Sequence, residues 1–443
     1  MLSTINALED ISVSGFMKVF IRTFGCQMNE AESDYLSSAI TDSLGFDLAD
    51  SPSDADFIIC NTCSVRQSAE ERAEGFISQT KGESKNSSKI ILTGCMASDS
   101  NEDLKIRFPY VDYFVRNNDK DRIVDILAAE SEGREPCYDK SDSYEFKENY
   151  RNRNGCFSFV PIQNGCNNFC SYCVVPYTRG REVSRDFHQI IDEISMLDKS
   201  GVRVVTLLGQ NVNSYRCGSR RFKDLVGAIG GIRFQNIKWI YFDSPHIKDF
   251  NSELFDMLAS SDVFAKSFHV PVQSFSTSVL KSMNRHETQD DIYAFFDLAK
   301  RKMPDASFTT DIMVGFPTET ENDFHATLDG VRKVSFIDAF MYYYNPRKGT
   351  VAYSAYRDLD LNLKKARLMK LIDLQGGISL NVRKSMLGRE FDIVACKKSR
   401  KDDSKVLCYT EGNCAVLADE GKISCGQVGR FVLKELVGRT FLA

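Results

Sequence analysis

The chain has 443 residues, 42% of them hydrophobic, with 14 cysteines and a formal net charge of −5. That length predicts two to three domains with real cores, and no apolar run approaches the roughly 18 residues that cross a bilayer, so we read the protein as soluble with no membrane role. The start MLSTINALED has no basic region leading into an apolar run, which argues against a secretory leader and for reduced thiols in the cytoplasm. The charge is unevenly spread: residues 1–150 hold 15 Lys+Arg against 28 Asp+Glu, residues 151–382 hold 29 against 25, and residues 383–443 hold 12 against 8. An acidic first part followed by a basic remainder lets a polyanion engage the later parts through the local field.

Residues 1–16 have no pattern and read as a loose extension. A strand at 18–22 then runs into Thr23-Phe24-Gly25-Cys26, an apolar strand at 56–60 ends in Asn61-Thr62-Cys63, and a third at 89–93 ends in Gly94-Cys95. Each strand delivers a cysteine just past its carboxyl end. Ligand sites of open parallel α/β sheets form at that edge, so one sheet can gather Cys26, Cys63 and Cys95. Three unrelated buried thiols are the alternative. Cys60 falls inside its apolar strand and reads as core packing.

Residues 131–155 are polar, charged and without period, the signature of a linker. After the apolar run 157–162 come Cys166, Cys170 and Cys173, three thiols within eight residues. Zinc wants four N or S ligands and no fourth lies nearby, so zinc is the weaker reading. A four-iron cluster accepts three thiolates and keeps one iron open for a ligand. Apolar segments recur at 157–162, 203–208, 238–243, 267–273, 307–314 and 338–344, with helical stretches such as 188–199 and 289–303 between them. This predicts a partial βα barrel of six units, whose open side suits a large substrate. The loops after these strands contain Gly209, Gln210, Asn211, Gln273 and Gly315. With Arg185, from the arginine-rich run 176–185, they are candidates for holding a cofactor that carries a carboxylate; an ordinary loop hydrogen bond or a solvated turn is the alternative for each. His246 and His269 read as structural.

The tail alternates like strands at 390–396, 405–409, 414–417 and 429–433, around Lys397, Lys398, Arg400 and Lys401, which read as one basic loop. A small β-barrel of this kind binds RNA through charged surface, or else contacts a protein. Cofactor chemistry is expected to survive its removal, because the six-unit barrel carries the cofactor.

The spacing of Cys166, Cys170 and Cys173 resembles the signature of radical S-adenosylmethionine enzymes. TFGCQMN, NTCSVR, GCMAS, GCNNFCSYCVVPYTRGREVSR, TLLGQNVNSY, HVPVQS, DIMVGFPTET and YYNPRKGT, in that order, resemble the radical methylthiotransferases over nearly the whole chain from about residue 17, and most of all the branch that acts on N6-isopentenyladenosine in tRNA. Phe275 stands where that family usually has Gly. The resemblance implies an α/β chain in three parts: a parallel α/β domain over 17–135, a partial (βα)6 barrel over 152–382 and a small β-barrel over 383–443. It implies two 4Fe–4S clusters, one on Cys166, Cys170 and Cys173 with S-adenosylmethionine at its open iron, and an auxiliary one on Cys26, Cys63 and Cys95. It further implies a radical replacement of the C2 hydrogen of the base by a methylthio group, using two molecules of S-adenosylmethionine and a sulfur from the auxiliary cluster. The partners implied are the anticodon loop of tRNA and an electron-donor protein. Rival readings are methylthiolation of threonylcarbamoyladenosine or of a ribosomal-protein aspartate and, outside catalysis, an iron–sulfur electron carrier or RNA-binding redox sensor.

Overall fold

The computed structural model describes residues 17–64, 67–83, 85, 87–97, 101–137, 139–141, 143–147 and 155–443. The extension expected at 1–16 and part of the expected linker, 148–154, lie outside them. The chain divides into two compact units, Met1–Phe24 with Tyr35–Ser141, and Gly25–Asp34 with Asp142–Ala443.

The first unit is a parallel sheet with helices on both faces. In chain order its elements are β1 (Lys18–Thr23), α1 (Gln27–Leu44, whose first turns group with the second unit), β2 (Asp47–Leu48), β3 (Phe57–Thr62), α2 (Gln67–Glu83), β4 (Lys89–Gly94), α3 (Asn101–Arg107), β5 (Tyr113–Val115) and α4 (Arg122–Ser131). The strands run β2-β1-β3-β4-β5, every pair parallel. All six residues of β3 are buried, as a central strand covered on both faces must be. Alternation along it sends Phe57 and Ile59 to a cluster with Leu36, Ile40 and Ile126, and Ile58 and Cys60 to another with Ala73, Ile77 and Leu104. Cys60 is thus a core residue, and burial pushes its thiol up to about 12.

The second unit begins with β6 (Phe157–Pro161), β7 (Gln163–Asn164), α5 (Val175–Thr178), β8 (Val183–Ser184), α6 (Phe187–Lys199), β9 (Val204–Leu208), β10 (Arg216–Cys217), β11 (Arg220–Arg221), α7 (Phe222–Gly230), β12 (Trp239–Phe242) and α8 (Ser252–Ser260). It continues with β13 (Ser267–His269), α9 (Thr277–Ser282), α10 (Gln289–Lys302), β14 (Ser307–Val314), α11 (Glu321–Val334), β15 (Asp338–Tyr343), α12 (Val351–Ala355) and α13 (Leu361–Lys384). Strands β6, β9 and β12 pair in parallel, as do β13, β14 and β15. A parallel bridge from Ile240 to Phe264 carries the first arc toward the second. These are the six expected barrel strands, in chain order. Helix starts follow the local sequence: Thr288 with Asp291 and Thr320 with Asp323 form reciprocal caps on α10 and α11.

The tail folds as β16 (Glu390–Lys398), β17 (Lys405–Thr410), β18 (Ala415–Asp419), β19 (Val428–Val432), β20 (Glu435–Val437) and β21 (Thr440–Leu442), a curled sheet in the order β19-β16-β17-β18-β21-β20. Lys397 and Lys398 are not on the basic loop expected there but end β16, and Lys398 pairs with Glu420 at 2.9 Å. The sheet sits against the amino ends of the barrel strands. Val394 shares a buried cluster with Cys156, Val204, Trp239 and Ala265. Lys238 pairs with Asp392 at 2.7 Å, Arg203 donates to the Gly426 carbonyl at 2.6 Å, and the Lys266 amide donates to Glu411 at 2.8 Å. Removing the tail would therefore uncover an apolar patch on the barrel floor, although the barrel and the tail each keep a core of their own.

Phe275, the residue at the family's usual Gly position, is fully buried among Tyr293 and Phe336. The room for it comes from Gly330 in α11, where a Cβ would run into the Phe275 ring. Gly330→Ala, worth roughly 1 kcal/mol of stabilisation on an exposed helix, is expected here to cost about 1–3 kcal/mol through overpacking. In a Phe275→Ala background that penalty should disappear. A double-mutant cycle from thermal unfolding checks this, and additive effects would refute the pairing.

Candidate active site at the carboxyl mouth of the barrel

The chain leaves β6 through Ile162 and β7 and turns at Gly165 into the cysteine loop. Gly165 has φ +79°, and a Cβ there would collide with the backbone of Gly180 and Arg181, so only glycine fits. The Gln163 side chain organises the turn: its Oε1 accepts from the amides of Gln210 (2.9 Å) and Asn211 (3.1 Å), while its Nε2 donates to the Gly165 carbonyl (2.7 Å). The Gly165 amide in turn donates to Gln210 Oε1 at 2.6 Å. The end of β9 and the entrance of the cysteine loop are thus one hydrogen-bonded piece.

The far side of the loop is held by the corner after α9. Ser171 donates its amide to the Met283 carbonyl and its hydroxyl to the Ser282 carbonyl, both at 2.8 Å. The Asn284 side chain donates to the Phe169 carbonyl at 2.9 Å. Phe169 and Asn284 both take left-handed backbone, at φ 48° and 57°. Nothing in the motif Met283-Asn284-Arg285 signals this clamp, which sequence reasoning missed. Asn tolerating a left-handed turn was the only clue.

Cys166 is buried, and Cys170 and Cys173 are half-buried. Burial, with a smaller contribution from the neighbouring Cys170 sulfur, raises the Cys166 thiol to about 11 and the Cys173 thiol to about 12. Among the described residues no three Cys, His, Asp or Glu side chains close around a single ion. A loop of three mutually interacting thiols with backbone held at both ends fits a cluster, in which each thiolate takes its own iron.

Gly209, Gln210, Asn211, Gln273 and Gly315 all lie at the carboxyl mouth. A Cβ at Gly209 would strike the Gln163 side chain. Asn211 donates to Asp249 at 3.1 Å, and its buried Oδ1 has no hydrogen-bond partner. Gln273, at φ 68°, accepts from the Tyr342 hydroxyl at 2.8 Å. The Gly315 amide donates to Glu319 at 2.8 Å. Arg185 is different: its guanidinium is fully buried against Glu193 and its amide donates to Ile162, so it braces the strand end from behind.

Below the mouth, His269 lies 3.5 Å from Asp311 and 3.0 Å from the Thr309 hydroxyl. Burial raises nearby Asp243 to about 6, against the opposing pull of His269. His246 accepts from the Lys248 amide, and burial lowers it to about 2, so it stays neutral.

In the first unit, Cys63 and Cys95 follow adjacent strands, and the Cys95 amide donates to the Thr62 carbonyl at 2.9 Å. Gly94 makes this approach possible, since a Cβ there would meet Thr62 and Asn61 backbone and side chain. Beside them the Phe24 amide donates to the Asn61 carbonyl at 2.7 Å. Cys26 comes two residues later, at the head of α1, and its thiol faces Asn29 Oδ1 at 3.5 Å.

Residues 160–331 match the model of the Radical SAM superfamily, and residues 18–116 match that of a family described as Uncharacterized protein family UPF0004. Among solved structures, the fold is similar to the radical S-adenosylmethionine methyltransferase TsrM of Kitasatospora setae, with TM-score 0.58 at 14% identity over 76% of this chain and 74% of that one. A tRNA-2-methylthio-N(6)-dimethylallyladenosine synthase of Treponema pallidum (strain Nichols) is 38% identical over 96% of this chain and 98% of its own length. Those of Treponema denticola and Chlorobium limicola are 38% and 36% identical, each over 96% of this chain and over 99% and 97% of their own lengths. With a three-thiol loop at the mouth of a six-stranded parallel barrel and relatives of this kind matching almost end to end, the chain belongs to the tRNA-2-methylthio-N(6)-dimethylallyladenosine synthase family of radical S-adenosylmethionine enzymes.

Proposed function

We propose that this chain methylthiolates C2 of N6-isopentenyladenosine beside the anticodon of tRNA. The observation that carries the reading is the end-to-end similarity to synthases of that name, on a chain whose barrel mouth presents three thiols. Its parts are a cluster-bearing domain over 17–135, a barrel over 152–382 and an RNA-binding tail over 383–443. Cys166, Cys170 and Cys173 hold one 4Fe–4S cluster, and Cys26, Cys63 and Cys95 hold the other. Gly209, Gln210, Asn211, Gln273 and Gly315 face S-adenosylmethionine at the mouth, and Arg185 supports them. Bound there, cluster and S-adenosylmethionine supply the one-electron chemistry that an aromatic C–H bond requires and that no side chain offers.

The chain's own contribution is orientation and the exclusion of water. Gly209 and Gly315 leave room for the Gln163 and Lys364 side chains that pack against the mouth, and Asn211 Oδ1 is a buried acceptor awaiting a donor. Asp243, His269, Asp311 and Tyr342 give the lumen a polar lining for the edge of a base that has left its stack, which an unpaired loop nucleotide does at least cost. An electron-donor protein completes the partners. Among the described residues no helix is long and apolar enough to cross a membrane.

The reading is tested by nucleoside mass spectrometry of tRNA from a strain lacking the chain. The 2-methylthio form of N6-isopentenyladenosine should vanish and return on complementation; loss of a methylthiolated threonylcarbamoyladenosine instead would move the chain to another branch.

Anaerobic reconstitution should give about eight iron atoms per chain, four per cluster. Changing Cys166, Cys170 and Cys173 together to Ala is expected to halve the iron and abolish deoxyadenosine release from S-adenosylmethionine. Cys63→Ala should also lose half the iron, whereas Cys60→Ala should keep all of it. Retained deoxyadenosine release in the triple variant would refute the assignment.

Arg400 and Lys401 are exposed on the tail loop, whereas Lys398 is engaged by Glu420. Replacing Arg400 and Lys401 by Ala is expected to flatten the dependence of tRNA affinity on salt by roughly 0.7–0.9 log units for each phosphate that is no longer neutralised. Lys398→Ala should change the slope less. Binding titrations at several salt concentrations check both, and equal slopes throughout would assign the loop to another partner.

A further inference from the structure

Arg179 follows the cysteine loop, and its guanidinium is almost wholly buried together with the Glu32 carboxylate, at 2% and 3% side-chain exposure. The two meet as a fork: Nη1 donates to Glu32 Oε1 at 2.8 Å and Nη2 to Oε2 at 3.3 Å. Nη2 also donates to Asn29 Oδ1 at 2.9 Å, and Nη1 to Asn164 Oδ1 at 3.0 Å. Asn164 returns a bond from its Nδ2 to the Arg179 carbonyl at 3.2 Å.

These contacts lie on a continuous path. Asn29 Oδ1 is the atom that also accepts from the Cys26 thiol, and Asn164 immediately precedes Gly165 and Cys166. The Cys166 amide donates to the Gly180 carbonyl, next to Arg179. One planar cation therefore bonds to the neighbours of Cys26 on one side and of Cys166 on the other, all within the second compact unit. A lysine could not do this, because a single ammonium cannot present parallel donors to a carboxylate and reach two amide oxygens beside it. A buried ion pair adds little net stability over apolar packing, and its best-attested use is to specify one arrangement.

We infer that Arg179 is a positioning residue that fixes the Cys26 segment against the loop of Cys166, Cys170 and Cys173. The inference rests on the proposed function, in which these thiols hold the two clusters.

The test uses the full chain, reconstituted anaerobically, as wild type, Arg179→Lys and Asn29→Ala. Arg179→Lys keeps the buried charge opposite Glu32, and Asn29→Ala removes no charge, so neither strands an unpaired ion. Deoxyadenosine release by the wild type tests the proposed function alone: its absence overturns that reading before Arg179 is in question. Both variants are expected to retain the iron of both clusters and to release deoxyadenosine. Their methylthiolated product per deoxyadenosine should fall, on the order of a hundredfold for Arg179→Lys, the effect that a displacement of about 1 Å has on an oriented reaction. The electron paramagnetic resonance signal of the reduced clusters should change with it, a readout independent of turnover. Wild-type coupling of product to deoxyadenosine with an unchanged resonance signal in Arg179→Lys overturns the inference.

Discussion

The site depends on the hydrogen bonds that the Gln163 side chain makes across the barrel mouth. A strand that ends in Gly165 can turn sharply only because no Cβ is present, and a sharp turn on its own leaves backbone amides without partners. Gln163 resolves this by presenting its oxygen to two amides of the neighbouring strand end and its nitrogen to the Gly165 carbonyl. The loop carrying three thiols thus springs from a rigid point. On its other side it rests on Ser282, Met283 and Asn284. Thiols with a spread of positions would pay an ordering cost whenever a cluster formed; held this way, most of that ordering is done by the fold.

Around this rigid point the buried charges are consistently paired. Arg179 meets Glu32, Arg185 meets Glu193, Arg285 meets Glu287 and Arg367 meets Glu319. Burial raises the Glu319 carboxyl to about 7 even though Arg367 and the Gly315 amide pull the other way. Such pairs sacrifice solvation for a fixed geometry. They cluster near the cysteine loop and the strand ends, where orientation matters most, whereas the outer ion pairs such as Lys223–Glu253 are exposed and contribute little.

Much of this architecture was legible in the chain. The six barrel strands read correctly because parallel strands buried on both faces leave continuous apolar runs, as in Val204-Val205-Thr206-Leu207-Leu208, and glycine or asparagine punctuates their ends. Cys60 and Cys63 could be told apart because period-two geometry distinguishes a strand interior from its exit. Two-residue strands such as β7 and β8 gave no periodic signal and were missed. The clamp by Asn284 and the service of Gln163 were hidden for a different reason: each joins residues dozens to more than a hundred positions apart, and a single polar side chain in a loop carries no mark of its distant partner. Lys397 and Lys398 were misplaced because a basic run looks like a solvated loop, although β16 continues through them past a break in register between Ala395 and Lys397. Nor does any local pattern announce that the tail floors the barrel, since the contacts pair residues such as Lys238 with Asp392.

That floor has a consequence for how the protein comes into being. The barrel strands are complete once Tyr343 has been made, but the residues that cover Val204, Trp239 and Ala265 arrive only with Val394 and the strands after it. At about 5–20 residues per second, a nascent chain carries an uncovered apolar surface for several seconds before the covering strands emerge. Ribosome-bound and truncated chains share that exposed surface, while a finished chain does not. Quality control that reads exposed apolar surface can therefore distinguish chains that carry the covering strands from chains that do not.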